Sequence, residues 1–168
     1  MANKMANKIL IDVDESLPEY KWFPLAEKFA DDVLKECGWE DEEVSILFCN
    51  DNTIAELNKN YRNIEGPTDV LSFESGETYT AEDGNEYFVA GSIAISTETL
   101  PKNAEYFEVS MNEELKRLLV HGLLHLNGYD HGEEHVEKGV EPVCEMLVLQ
   151  KKLMEKFQNL VLLENDKL

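Results

Sequence analysis

The four histidines of the chain, His121, His125, His131 and His135, fall close together near its C-terminal third. On a helix, residues four apart share a face, so His121 and His125 can grip one ion. Gly128 lets the chain leave that helix and turn, and the turn can swing His131 back to the same ion. Three neutral imidazoles with a fourth position left open describe a catalytic zinc site, so one Zn2+ per chain is expected. Such an ion lowers the pKa of a bound water to about 7 and polarises a carbonyl or phosphoryl oxygen. His135 lies outside the spacing and is expected in solvent. Asp130 either orients a ligand imidazole or acts as base, or it is ordinary turn chemistry.

The spacing His-x3-His-x5-His with a glycine at the bend is that of the metzincin zinc motif, with one change. Zinc proteases place a glutamate directly after the first histidine as general base; here that position is Gly122. A zinc peptidase or amide hydrolase is therefore one reading, opposed by the missing base. A non-enzymatic factor with a structural zinc is another. It would need His135 or Asp130 as fourth ligand, whereas structural sites favour cysteine and none is near.

Charge bears on what could reach such a site. Fifteen Lys and Arg against thirty-five Asp and Glu give a net charge of −20, and residues 65–101 hold eight acids and no Lys or Arg. A general nucleic-acid binder usually carries a basic patch, so a large one is excluded, though not a small basic site helped by a metal. Only two arginines exist, Arg62 and Arg117. Arg62, before the turn segment Gly66-Pro67-Thr68, can aim a planar guanidinium at a phosphate, with Lys59 nearby, or sit solvated at a helix end. Arg117 is expected to pair with Glu113 at i−4, the alternative being a phosphate contact like that of Arg62, and Thr68 and Asp69 are expected to cap a strand start, the alternative being a catalytic role.

The elements that must position these residues follow from periodicity. Alternation predicts strands at 8–13, 43–49, 69–74 and 87–95, with a mobile polar loop between the last two. Helices are predicted at 22–37, 53–61, 101–109, 110–127 and 141–158; Ser110 opens the histidine helix with a capping box. The expected class is α+β: a single domain with a small four-stranded mixed sheet flanked by helices, one of them a zincin-like histidine helix. Residues 1–8 (MANKMANK), which lack a signal-peptide core, are expected as a disordered extension, 9–160 as the domain and 161–168 as a tail. The longest apolar run is too short for a membrane span, so a soluble chain is expected. Three cysteines without a CxxC suggest reduced thiols in the cytoplasm.

HGLLHLNGYDH at 121–131, together with LNKNYRNIEGPTDVLSFE at 57–74, resembles the YbeY family of bacterial metal-dependent endoribonucleases. GSIAIS at 91–96 and EMLVLQKKLM at 145–154 also look like that family. The resemblance implies zinc held by His121, His125 and His131, and cleavage of single-stranded RNA. It further implies roles in maturing 16S rRNA of the small ribosomal subunit and in ribosome quality control, with no DNA or membrane partner. The family's arginine falls on Arg62, to which a phosphate-binding role carries over. The chain departs from the family pattern at Ile64, Glu65, Glu74 and Ser92, which bears on RNA affinity more than on metal binding.

Overall fold

The computed structural model describes residues 7–168. The expectation for the N-terminal extension lies almost wholly outside them. At its end, Asn7 is buried and Lys8 already opens the first strand.

Strands β1 (Lys8–Val13), β2 (Glu42–Cys49), β3 (Val70–Thr80) and β4 (Glu86–Ser96) form one mixed sheet in the order β1-β2-β4-β3. β1, β2 and β4 are parallel, and β3 runs antiparallel to β4 along an edge. The alternation of β2 explains the layering: Val44, Ile46 and Phe48 face the main core, while Leu47 and Cys49 face the other side. Helices α1 (Phe23–Glu36) and α4 (Met111–Leu126) cover the main face. Helix α2 (Asp51–Arg62) covers part of the other through Ile54. Helices α3 (Thr99–Phe107) and α5 (Glu145–Lys156) pack beside α4.

The segment expected as a mobile loop is instead the far end of the β3–β4 hairpin. Both strands continue past the helical cover to a short turn in which the Ala81 amide donates to the Asn85 carbonyl at 2.8 Å. Tyr79 and Tyr87 stack across it at 5.6 Å, with the Lys8 ammonium 4.0 Å from the Tyr87 ring. Gly91 sits where the β2–β4 register shifts. Its φ is 143°, and a Cβ there would lie 2.0 Å from the Phe73 carbonyl oxygen, so this position needs glycine.

Helix α4 carries the histidines and is secured at its first turn. The Ser110 hydroxyl accepts from the Glu113 amide at 3.0 Å, and the Asp166 carboxylate accepts from the amides of Met111 and Asn112 at 3.1 and 2.8 Å. An acidic group at a helix N-terminus also complements the macrodipole. Residues 161–168 return to this end of α4, where Leu162 and Leu163 are buried in the core. No helix among the described residues is long and apolar enough to cross a membrane.

Candidate metal centre

Helix α4 places His121 and His125 one turn apart on one face, and the turn through Gly128 returns His131 to them. One ring nitrogen from each of the three lies within 4.8 Å of the others, so the three can hold a metal ion. The tautomers are set by neighbours. The Tyr129 carbonyl can only accept, so His125 Nδ1, 3.0 Å away, carries the proton. His121 Nδ1 donates to Gln150 Oε1 at 2.8 Å. Both Nε2 lone pairs then turn inward, 3.1 Å apart. His131 Nδ1 is buried and has no hydrogen-bond partner among the described residues. One cation can take the two facing lone pairs and a ring nitrogen of His131, so the residues present fit a metal.

Burial favours the neutral form of His121 and His125, the form a ligand imidazole must take. It pushes His121 down to about 4 from 6.5, and it also lowers His125, with a further contribution from the nearby His131 charge. In metal-free protein the unfolded chain accepts a proton from pH 6.5 downward that folded His121 refuses until about pH 4. Stability is thus full above 6.5 and is lost as pH falls through this window. Denaturant titrations of chelator-treated protein should show a loss of about 2 kcal/mol from His121 between pH 7 and pH 5. The His121→Asn variant should lack that part, and an unchanged pH dependence in the variant would count against the assignment.

The three imidazoles open into a cleft of about 440 Å³. Arg62, from the end of α2, lines it, as do Arg117 and the exposed His135. Both arginines of the chain therefore reach one cleft. They differ in what holds them. Arg117 pairs with Glu114, not with Glu113: Nε and Nη2 lie 2.9 and 2.5 Å from the Glu114 carboxylate, and Nη2 is 3.4 Å from Asp69. The i−3 partner wins because Glu114 is fully buried beside Arg117, while Glu113 turns to the buried Lys116 at 2.9 Å. Arg62 has no carboxylate within ion-pair distance among the described residues. Lys59, expected beside it, instead faces Glu65 at 3.7 Å and does not line the cleft.

Asp69 caps its own strand start, accepting from the Val70 amide at 2.8 Å, and its other oxygen takes Asn103 at 2.9 Å. Asp130 is exposed and does not line the cleft. Its carboxylate accepts from the Gly132 amide at 3.1 Å, and that bond holds its pKa below the usual range. The imidazole-orienting positions are occupied by Gln150 and the Tyr129 carbonyl.

A sequence model of the family described as Endoribonuclease YbeY matches residues 10–158. The chain belongs to the YbeY endoribonuclease family. It is 44% identical over 156 residues to a Treponema denticola protein named Endoribonuclease YbeY, covering 93% of this chain and 97% of that protein. An Aquifex aeolicus protein of the same name is 43% identical over 115 residues, 68% of this chain and 70% of its own. The solution structure of the Thermotoga maritima protein TM1509 superposes with a TM-score of 0.56 at 28% identity, covering 91% of this chain and 90% of that one.

Within this YbeY frame, the four departures from the family pattern lie off the cleft: none of Ile64, Glu65, Glu74 and Ser92 lines it. Gln150 was not picked out in the sequence, although a signal exists. It is the polar residue in the buried stripe Met146, Leu147, Gln150, Leu153 of α5. Removing an outer partner of a ligand histidine typically costs 10–100-fold in metal affinity. Gln150→Leu should weaken metal binding by roughly that factor, as read by competition with a chelator. Unchanged affinity would mean that His121 needs no such partner.

Proposed function

We propose that this chain is a zinc-dependent, single-strand-specific endoribonuclease that acts in 16S rRNA maturation and ribosome quality control, in the cytoplasm and on the small ribosomal subunit. The observation that carries the reading is the convergence of three imidazoles and the Arg62 guanidinium, which has no carboxylate partner among the described residues, on one cleft. His121, His125 and His131 would hold the ion, one per chain. Zinc bound there supplies a Lewis acid and a water of lowered pKa.

The chain's own groups do the rest. Gln150 and the Tyr129 carbonyl keep the Nδ1 protons outward, so the ligand lone pairs stay aimed into the cleft. Arg62 binds the scissile phosphate and offsets charge developing on its oxygens. In this reading Asp130 shapes the turn that returns His131. The relatives' name, Endoribonuclease YbeY, supports RNA as the substrate class.

The peptidase alternative finds little support. Gly122 is buried against β4, and a Cβ there would stand 2.8–3.0 Å from the Ile93 side chain. The general-base position of zinc proteases thus has no carboxylate and no room for one. A purely structural zinc is opposed by the open cleft, since structural sites are closed by four protein ligands. The deciding experiment incubates purified protein with single-stranded RNA, double-stranded RNA and a peptide, with and without chelator. Chelator-sensitive cleavage of the single strand alone, restored by zinc, is expected. Cleavage that persists in chelator would reject the metal-dependent reading.

A further inference from the structure

A second cavity adjoins the metal cleft. It measures about 460 Å³, within the range of small-molecule sites, and lies between the α3–α4 junction, α5 and residues 133–142. The two spaces are continuous: Phe107, Arg117, His135, Val136 and Leu147 line both. Its wall is apolar, with the Phe107 ring lying 5.2 Å from the Arg117 guanidinium carbon and Leu147 and Met154 contributed by α5. Val136 and Val140, 36% and 58% exposed, stand at its mouth. The rim is acidic. Glu134 is committed to the amides of Val143 and Cys144, and Glu141 to Lys151. Glu133 and Glu137 also line the cavity, and they are exposed.

An apolar slot beside a phosphate site, rimmed by carboxylates, suits one part of a single-stranded RNA. The carboxylates repel the phosphate backbone, while an unstacked base can enter, lie against an aromatic ring and donate from its edge. We infer that this cavity receives a nucleobase of the RNA next to the scissile phosphate, and that its acidic rim selects cytosine, with its amino donor, over uracil, which presents a carbonyl oxygen there. The inference rests on the endoribonuclease reading for its substrate, and it adds a specificity site to it.

Two measurements test it. In the first, zinc-loaded protein is titrated with cytidine monophosphate, uridine monophosphate and inorganic phosphate, and backbone amide NMR signals are followed. Cytidine monophosphate should move the signals of Val140 and Met154, which line this cavity and not the metal cleft. Uridine monophosphate should do so more weakly and phosphate not at all, and Val140→Trp, which fills the slot from an exposed position, should abolish the shifts. In the second, single-stranded RNAs carry one abasic nucleotide walked past the cut site. One position should lower kcat/KM roughly ten-fold or more, and cytosine there should exceed uracil about ten-fold. The Glu137→Lys variant should narrow the cytosine preference while still cutting RNA. Cleavage indifferent to every abasic position, with no pocket signals moved, would overturn the inference and leave the endoribonuclease reading standing. Pocket signals moved by cytidine monophosphate without any RNA cleavage would reject the endoribonuclease reading, and with it the placement beside a scissile phosphate, leaving only a nucleobase site.

Discussion

Replacing His125 by alanine is expected to release the metal and to lower cleavage of single-stranded RNA roughly 10³-fold or more, since a Lewis acid supplies several kcal/mol to the transition state. The other two imidazoles cannot compensate. His121 and His131 remain, but the inward lone pair 3.1 Å from His121 Nε2 is gone, and a two-ligand site binds weakly. Elemental analysis should find zinc near one per chain in the parent and near zero in the variant. His135→Ala should keep its zinc, because the converging set is His121, His125 and His131. Metal lost on His135→Ala, or kept on His125→Ala, would break the ligand assignment. The fold should survive in both. The core packed by α1, α4 and the sheet does not depend on the ion, although a ligand that binds only the folded state adds RT ln(1 + [L]/Kd) to stability. The melting temperature should therefore fall on metal loss without unfolding at room temperature.

How much of this was legible depended on whether the governing interaction was local. The histidine cluster that could hold a metal is local: a helical i, i+4 pair and a glycine turn within eleven residues, HGLLHLNGYDH. The capping box at Ser110 is local too, and the structure shows its bond. Helix α2 begins at Asp51, earlier than the predicted residue 53, because Asn50 is the residue whose side chain accepts the Thr53 amide, at 2.8 Å. Helix α3 likewise starts at Thr99, two residues before Pro101, which is tolerated in a first turn. Helix α5 was expected from residue 141 but starts at Glu145, where the Glu134 carboxylate binds the amides of Val143 and Cys144. That cap comes from ten residues away, and no local pattern announces it. The β3–β4 hairpin tip was missed for a different reason. Beyond Glu74 nearly every β3 residue is exposed, so the strand carries no apolar alternation to read. Gln150 and Asp69 act on α4 from distant parts of the chain, which only the packing reveals.

Arg62→Ala is expected to reduce kcat/KM for single-stranded RNA about 10²-fold, in the range for loss of one donor to developing charge, with zinc content unchanged. The reasoning is a comparison of the two arginines in the cleft. Arg117 is held by two carboxylates, Glu114 and Asp69, so the trio carries net negative charge and cannot attract a phosphate. Arg62 is exposed, has no carboxylate partner among the described residues, and lies close enough to His125 for its charge to help lower that pKa. It and a bound ion would thus be the favourable charges in this cleft of a chain of net charge −20. A loss confined to the transition state appears in kcat and kcat/KM together, whereas lost substrate affinity alone would raise KM. Arg62→Lys should recover only part of the rate, because an ammonium lacks the two-pronged donor geometry. Salt offers an independent check. The Debye length is about 10 Å at 0.1 M, so moderate salt screens long-range repulsion between RNA and the acidic body as well as the attraction at Arg62. Binding should then fall with salt less steeply than for a basic nuclease that neutralises many phosphates. A wild-type rate in Arg62→Ala would remove the phosphate role from Arg62, and a steep salt dependence would point to a basic surface that the two arginines do not provide.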